Sequence, residues 1–141
     1  MEIKVRYHAD ITPLEQTERG DWIDLRAAEK VVLYPWEFKL ISLGVSMKLP
    51  DGYEAVVAPR SSTFTTWGIL QTNHLGVIDN SYCGDDDIWH FPALATRYVI
   101  IEKNSRICQF RIQKKMPKLD FTTVERLEDK NRGGLGSSGI M

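Results

Sequence analysis

Two short stretches of this 141-residue chain carry residue types suited to chemistry on a phosphorylated ligand. In Ala58-Pro59-Arg60-Ser61-Ser62 an arginine and two hydroxyls follow an apolar, β-rich run and precede a short helical stretch. A guanidinium fork, short hydroxyl donors and free backbone N–H groups together fit a phosphate chain. The same residues also read as an N-cap serine beside a surface arginine. Further on, an apolar strand ends in Asp79, with Tyr82 three residues later and Gly84 beyond it. A carboxylate at a strand end can orient and deprotonate a water when hydrogen bonds keep it ionised. Tyr82 offers a flat apolar surface to a sugar or base. An Asx turn with a packed tyrosine is the plainer reading of the same pattern.

The tail is a third candidate. Residues 133–139 hold four glycines and two serines, a composition that buries too little apolar area to order itself. It reads either as a frayed end or as an arm that orders on a ligand. Glycine lets successive N–H groups converge on phosphate oxygens, and Arg132 adds a charged donor.

Short strands must position these groups. Ile3, Val5 and Tyr7 alternate with Lys4 and Arg6 as in a half-buried strand. Residues 38–45 form a second strand region, and Pro50-Asp51-Gly52 then makes a turn before the apolar run 53–58. Residues 98–101 and 107–112 flank a hairpin-like loop at 102–105, and 121–124 reads as a last strand. Helix is predicted over 12–18, with Thr12 as cap and Pro13 at the first helical position, and over 61–67. So many brief strands predict a sandwich, jelly roll or barrel.

Composition limits the function classes. The chain is 43% hydrophobic and 26% charged, as expected of one soluble globular domain. With 18 basic and 19 acidic residues its net charge is −1, which gives no case for long nucleic acid or an anionic membrane as partner. Cys83 and Cys108 lack C-x-x-C spacing and do not cluster with His8, His74 or His90. Zinc is disfavoured and free thiols are expected. The start Met1-Glu2-Ile3-Lys4 has no signal-peptide core, and no run approaches membrane-spanning length. A cytoplasmic setting is the expectation.

Taken in order, Pro-Arg-Ser-Ser, Gly-Val-Ile-Asp-x-x-Tyr-x-Gly, Arg-Ile-Cys-Gln and the terminal Arg-Gly-Gly-Leu-Gly-Ser-Ser-Gly resemble the trimeric dUTPase family. Gly20-Asp21-Trp22-Ile23-Asp24-Leu25-Arg26-Ala27 is similar to its first motif. The likeness spans residues 20–139 and is strongest to the bacillus and bacillus-phage branch. It implies an all-β, distorted jelly-roll barrel over residues 1–128, and a C-terminal arm over 129–141 that is exchanged within a homotrimer. It implies hydrolysis of dUTP to dUMP and pyrophosphate, with Mg²⁺ held mostly by the phosphates and waters. Asp79 matches the residue that holds the attacking water. Asn73 and Gln109 match positions that place substrate and water. Tyr82 matches the ring under the deoxyribose. Backbone around Gly76 and Ile78 matches the hairpin that reads uracil. Arg60, Ser61 and Ser62 match the phosphate motif, and Arg132, Gly136, Ser137 and Ser138 match the arm. Asp24 corresponds to an aspartate that acts near the metal through water or supports the site, so no direct metal ligand is expected. Asp85-Asp86-Asp87 reads as a solvated loop.

The chain departs from the family pattern in three places. Ser81 stands where an aspartate is usual, Trp22 replaces a small residue, and Leu135 replaces the tail phenylalanine that covers uracil. Another residue is then needed as lid. If 88–92 is a strand, Trp89 and Phe91 share the core face and His90 the other, which makes His90 the first candidate and Trp89 the second. A dCTP deaminase is the nearest rival, but residues 85–92 lack the glutamate its chemistry requires. A regulator that binds a protein partner is the rival of another class. Bacterial or phage origin is left open.

Overall fold

The computed structural model describes residues 1–136 and 138–141. Its first half is strand after strand: β1 (Lys4–Tyr7), β2 (Ile23–Arg26), β3 (Val31–Leu33), β4 (Phe38–Ser42), β5 (Val45–Lys48) and β6 (Tyr53–Pro59). A one-turn helix, α1 (Thr63–Trp67), leads into β7 (Ile69–Gln71), β8 (Gly76–Ile78), β9 (His90–Ala95), β10 (Val99–Ile101) and β11 (Arg106–Lys114). Among the described residues all pairings are antiparallel, in four sheets ordered β1-β5, β10-β3, β2-β11-β6-β8 and β4-β9-β7. The result is an all-β, distorted jelly-roll barrel.

Period-two alternation puts one face of β3, β7, β9 and β10 inside, while β5 and β6 bury consecutive residues. In β9, Phe91, Ala93 and Ala95 are buried while His90 is exposed. These residues pack with Trp89, Leu25, Leu33, Ile41, Ile69, Ile101, Ile107 and Phe110 into one core. Trp89 meets Phe110 edge-on at 5.2 Å between ring centroids, a preferred aromatic geometry. The strand predicted over 38–45 divides at Gly44, whose φ of +68° lets the chain change sheets. A Cβ there would stand 3.1 Å from the Ala28 Cβ. The residues on either side stay tied to one partner: Leu43 N donates to Trp89 O, and Trp89 N donates to Val45 O, both at 2.9 Å.

Three sequence expectations give way. Residues 12–18 are not helical, because Asn104 takes both groups that a cap would use. Its Oδ1 accepts from Thr12 N at 2.8 Å, and its Nδ2 donates to Thr12 Oγ1 at 2.9 Å. β10 and β11 do not form a hairpin: β10 pairs with β3, and β11 lies between β2 and β6. The loop between them instead bonds to Ala27, through Asn104 N→Ala27 O and Ala27 N→Ser105 O. Residues 121–124 form no strand, since no neighbouring strand in this chain reaches them, and Phe121 is 92% exposed. Among the described residues no helix is long and apolar enough to cross a membrane.

Candidate active site

β6 delivers its last residue, Pro59, next to Cys108 of β11, and Arg60 follows. The Arg60 Nε lies 3.2 Å from Asp24 Oδ1, and its Nη1 donates to Arg106 O at 3.1 Å. Arg106 Nη1 lies 3.4 Å from Asp24 Oδ2. One carboxylate thus holds two guanidiniums and leaves the cluster a net positive charge. Gln109 pairs with Asp24 on one side and Ala58 on the other, and its Nε2 donates to Pro59 O at 3.0 Å.

Thr63 locks this turn in place. Its buried hydroxyl accepts from Arg60 N at 2.8 Å and donates to Ile107 O at 2.9 Å. Ser62 sits at the N-cap position of α1 but makes no side-chain cap bond, and Ser61 is exposed. The N-cap alternative is therefore not realised by the Ser62 side chain. Thr63 and Arg106 were not singled out from the sequence. The hydroxyl three residues after Arg60 and the arginine opening Arg-Ile-Cys-Gln were the signals available.

The second group lies at the end of β8. Asp79 is exposed, and its Oδ2 accepts from Ser81 N at 2.8 Å and from the Ser81 hydroxyl. That hydroxyl first, then the N–H, holds the Asp79 carboxyl below its ordinary value; Lys115 adds a weaker attraction, and slight desolvation opposes. Tyr82 N closes the turn on Asp79 O at 3.0 Å, and the Tyr82 hydroxyl donates to Ile88 O at 2.9 Å. The Asn80 Nδ2 donates to Pro50 O at 3.0 Å and Tyr53 O at 2.8 Å, tying the turn to the one before β6. Past Tyr82, residues 83–88 form no strand, so β8 leads into a hydrogen-bonded turn.

Ile78, Asp79, Ser81, Tyr82, Ile88 and His90 line an open cleft of about 400 Å³. His90 faces it from β9, whereas Trp89, the second lid candidate, is 1% exposed and belongs to the core. Gly76 is buried against Val57: a Cβ would stand 3.3 Å from the Val57 Cβ, so a side chain there would require the packing of β8 on β6 to give by a few tenths of an ångström. Asn73 is exposed in the turn before β8, at the end of that strand opposite Asp79.

The two groups do not meet within one chain. Ile78 pairs with Ala55, and Asp79 continues away from Pro59. Four strand steps, about 13 Å at roughly 3.3 Å each, separate Ala55 from Pro59. Arg132, Gly136 and Ser138 are exposed in a tail that makes no hydrogen bond to the barrel among the described residues, and Ser137 lies outside those residues. Among the described residues no cluster of three His, Cys, Asp or Glu side chains can hold a metal ion. Asp85 and Asp86 instead face Arg6 at 3.6 and 3.9 Å, and Asp87 accepts from Gly84 N. Cys83 and Cys108 are free thiols.

A strand barrel with an arginine–serine turn at one edge and a hydrogen-bonded carboxylate above an open cleft has the groups that chemistry on a phosphorylated ligand needs. The family model for dUTPase matches residues 9–139. The SPbeta prophage-derived deoxyuridine 5'-triphosphate nucleotidohydrolase YosS of Bacillus subtilis (strain 168) is 56% identical over 140 residues, covering 99% of each chain. The deoxyuridine 5'-triphosphate nucleotidohydrolase of Hydrogenobaculum sp. is 36% identical across 91% of this chain and 90% of its own. Two solved structures share the fold. The Staphylococcus bacteriophage 80alpha dUTPase with dUPNHPP aligns with a TM-score of 0.80 at 21% identity, covering 99% of both chains. A mutant dUTPase of S. aureus phage phi11, in which coordination of a structural Mg(II) ion is described, aligns at 0.75 and 18% identity over 92% of this chain and 100% of its own. This chain belongs to the dUTPase family and is an enzyme.

Proposed function

We propose that this enzyme hydrolyses dUTP to dUMP and pyrophosphate at sites shared between the subunits of a homotrimer. The observation that carries the reading is the separation of Asp79 from Arg60. Each half suits one part of a deoxynucleoside triphosphate, yet the register of β8 on β6 holds them apart within one chain. A second copy brings its arginine–serine turn to the Asp79 cleft, and a third supplies the arm of residues 129–141.

In this reading the cleft beside Tyr82 takes the deoxyribose, and the ring leaves no room for a 2′-hydroxyl. Backbone groups of Gly76 and Ile78 meet the uracil edge, Asn73 helps place substrate and water, and His90 covers the base in place of the tail phenylalanine. Arg60, Ser61 and Ser62 bind the phosphates, and Gln109 helps place the water. Arg132, Gly136, Ser137 and Ser138 close over the triphosphate.

Asp79 takes a proton from water as the water oxygen attacks the α-phosphorus. The bond to the α–β bridging oxygen breaks, and pyrophosphate leaves while a serine hydroxyl stabilises its developing charge. Asp79 is exposed and ionised at neutral pH, as this task requires, and Ser81 holds its carboxyl below the ordinary value. Mg²⁺ fits as an ion carried by the substrate, with Asp24, whose two oxygens face arginines, near it through water. Bound to the phosphates, it would neutralise part of their charge.

The test is pyrophosphate release from dUTP, dCTP, dTTP and UTP with Mg²⁺. Selective release from dUTP is expected. Equal turnover of UTP would contradict the Tyr82 role, and ammonia from dCTP would move the chain to deaminase chemistry.

A further inference from the structure

We infer that Ser81 is a positioning residue for the reaction, fixing one oxygen of Asp79 with two donors so that the other oxygen is presented to water. The inference rests on the reading of Asp79 as base and adds to it the residue that aims that base.

The geometry is local and asymmetric. Ser81 N and the Ser81 hydroxyl both donate to Oδ2, while Oδ1 has no hydrogen-bond partner among the described residues. A carboxylate this exposed would otherwise rotate through several orientations, each with its own hydration. Two donors from one residue remove that freedom and saturate Oδ2. Oδ1 then becomes the oxygen available to accept a water proton.

The frame around the pair is itself anchored. Asn80 ties the turn to Pro50 and Tyr53, and Tyr82 bonds Asp79 O and Ile88 O. The donors on Ser81 therefore have a fixed origin. The lowered carboxyl pKa, with the Ser81 hydroxyl as its first cause, agrees with this arrangement. Lys115 is the other charged group acting on Asp79, and Tyr82 and His90 are the titratable side chains facing it across the cleft. An aspartate at position 81 would bring a like charge and no side-chain donor at neutral pH.

The experiment compares the full-length enzyme with Ser81→Ala, Ser81→Thr, Ser81→Asp and Asp79→Asn. It measures kcat/KM for Mg²⁺–dUTP against pH and titrates the Asp79 carboxyl by NMR without substrate. Removing the hydroxyl should move both the acid limb and the NMR midpoint to higher pH, with KM on the plateau changed by less than about twofold. Threonine should restore the original positions, and aspartate should move them further than alanine does. An alanine variant with unshifted limb and midpoint, alongside an inactive Asp79→Asn, overturns the role of Ser81 and leaves the base in place. A fully active Asp79→Asn overturns the base reading itself, whatever Ser81 does. The exposed position of Ser81 lets the variants fold, and melting temperature verifies this.

Discussion

Oδ1 of Asp24 lies 3.2 Å from Nε of Arg60, while the opposite oxygen faces Arg106 at 3.4 Å. Asp24 is thus a strut for the phosphate-binding arginine. The pair is partly exposed, so its charge is worth roughly 1 kcal/mol. Asp24→Asn should raise the KM for dUTP about fivefold, with little change in kcat and none in the Mg²⁺ concentration for half-activity. Steady-state kinetics over a Mg²⁺ series separates the cases; a shifted Mg²⁺ requirement with unchanged KM would make Asp24 a metal contact.

His90 is the exposed aromatic-type side chain that β9 turns toward the cleft. Base stacking contributes roughly 1–3 kcal/mol, so His90→Ala should raise the dUTP KM by about five- to 150-fold. An unchanged KM would remove His90 as the lid.

Separation of the two half-sites makes mixed oligomers informative. Asp79→Asn and Arg60→Ala chains should each be nearly inactive alone. Refolded together in equal amounts, they should recover about a quarter of wild-type activity, because random assortment gives that share of sites both intact halves. Size-exclusion chromatography should place the mixture at three chains. No recovery in a correctly sized oligomer would put both halves in one chain.

Cys83 is exposed and Cys108 buried. Burial pushes the Cys108 thiol well up, and the Asp24 charge adds to this. A raised thiol pKa keeps the neutral form through and above pH 8, and the thiolate is the reactive species. A thiol-reactive dye should therefore label one cysteine per native chain at pH 8 and two in denaturant. Two equivalents in the native protein would contradict the burial of Cys108.

The chemistry-bearing turns were legible because they are local. Arg60-Ser61-Ser62 and Asp79 stand at the ends of β6 and β8, where the sequence puts them, and the alternation Trp89-His90-Phe91 sorted core from cleft. Pairing was less legible, because it depends on which strand lies alongside. The segments around residues 102–105 have hairpin chemistry, yet each leg belongs to another sheet. The capping signal at Thr12 was real, but a residue 92 positions away uses it. Ser81 could be seen only as a departure from a pattern. That it donates twice to Asp79 follows from the folded turn.

The most direct measurement is single-turnover hydrolysis of Mg²⁺–dUTP by Asp79→Asn, with binding measured separately. The amide keeps the shape of the carboxylate but cannot take a proton from water. A chemical step slowed by roughly a hundred- to ten-thousandfold, with dUTP affinity preserved, is the result predicted for a lost general base. A chemical step as fast as in the unsubstituted enzyme would contradict the account.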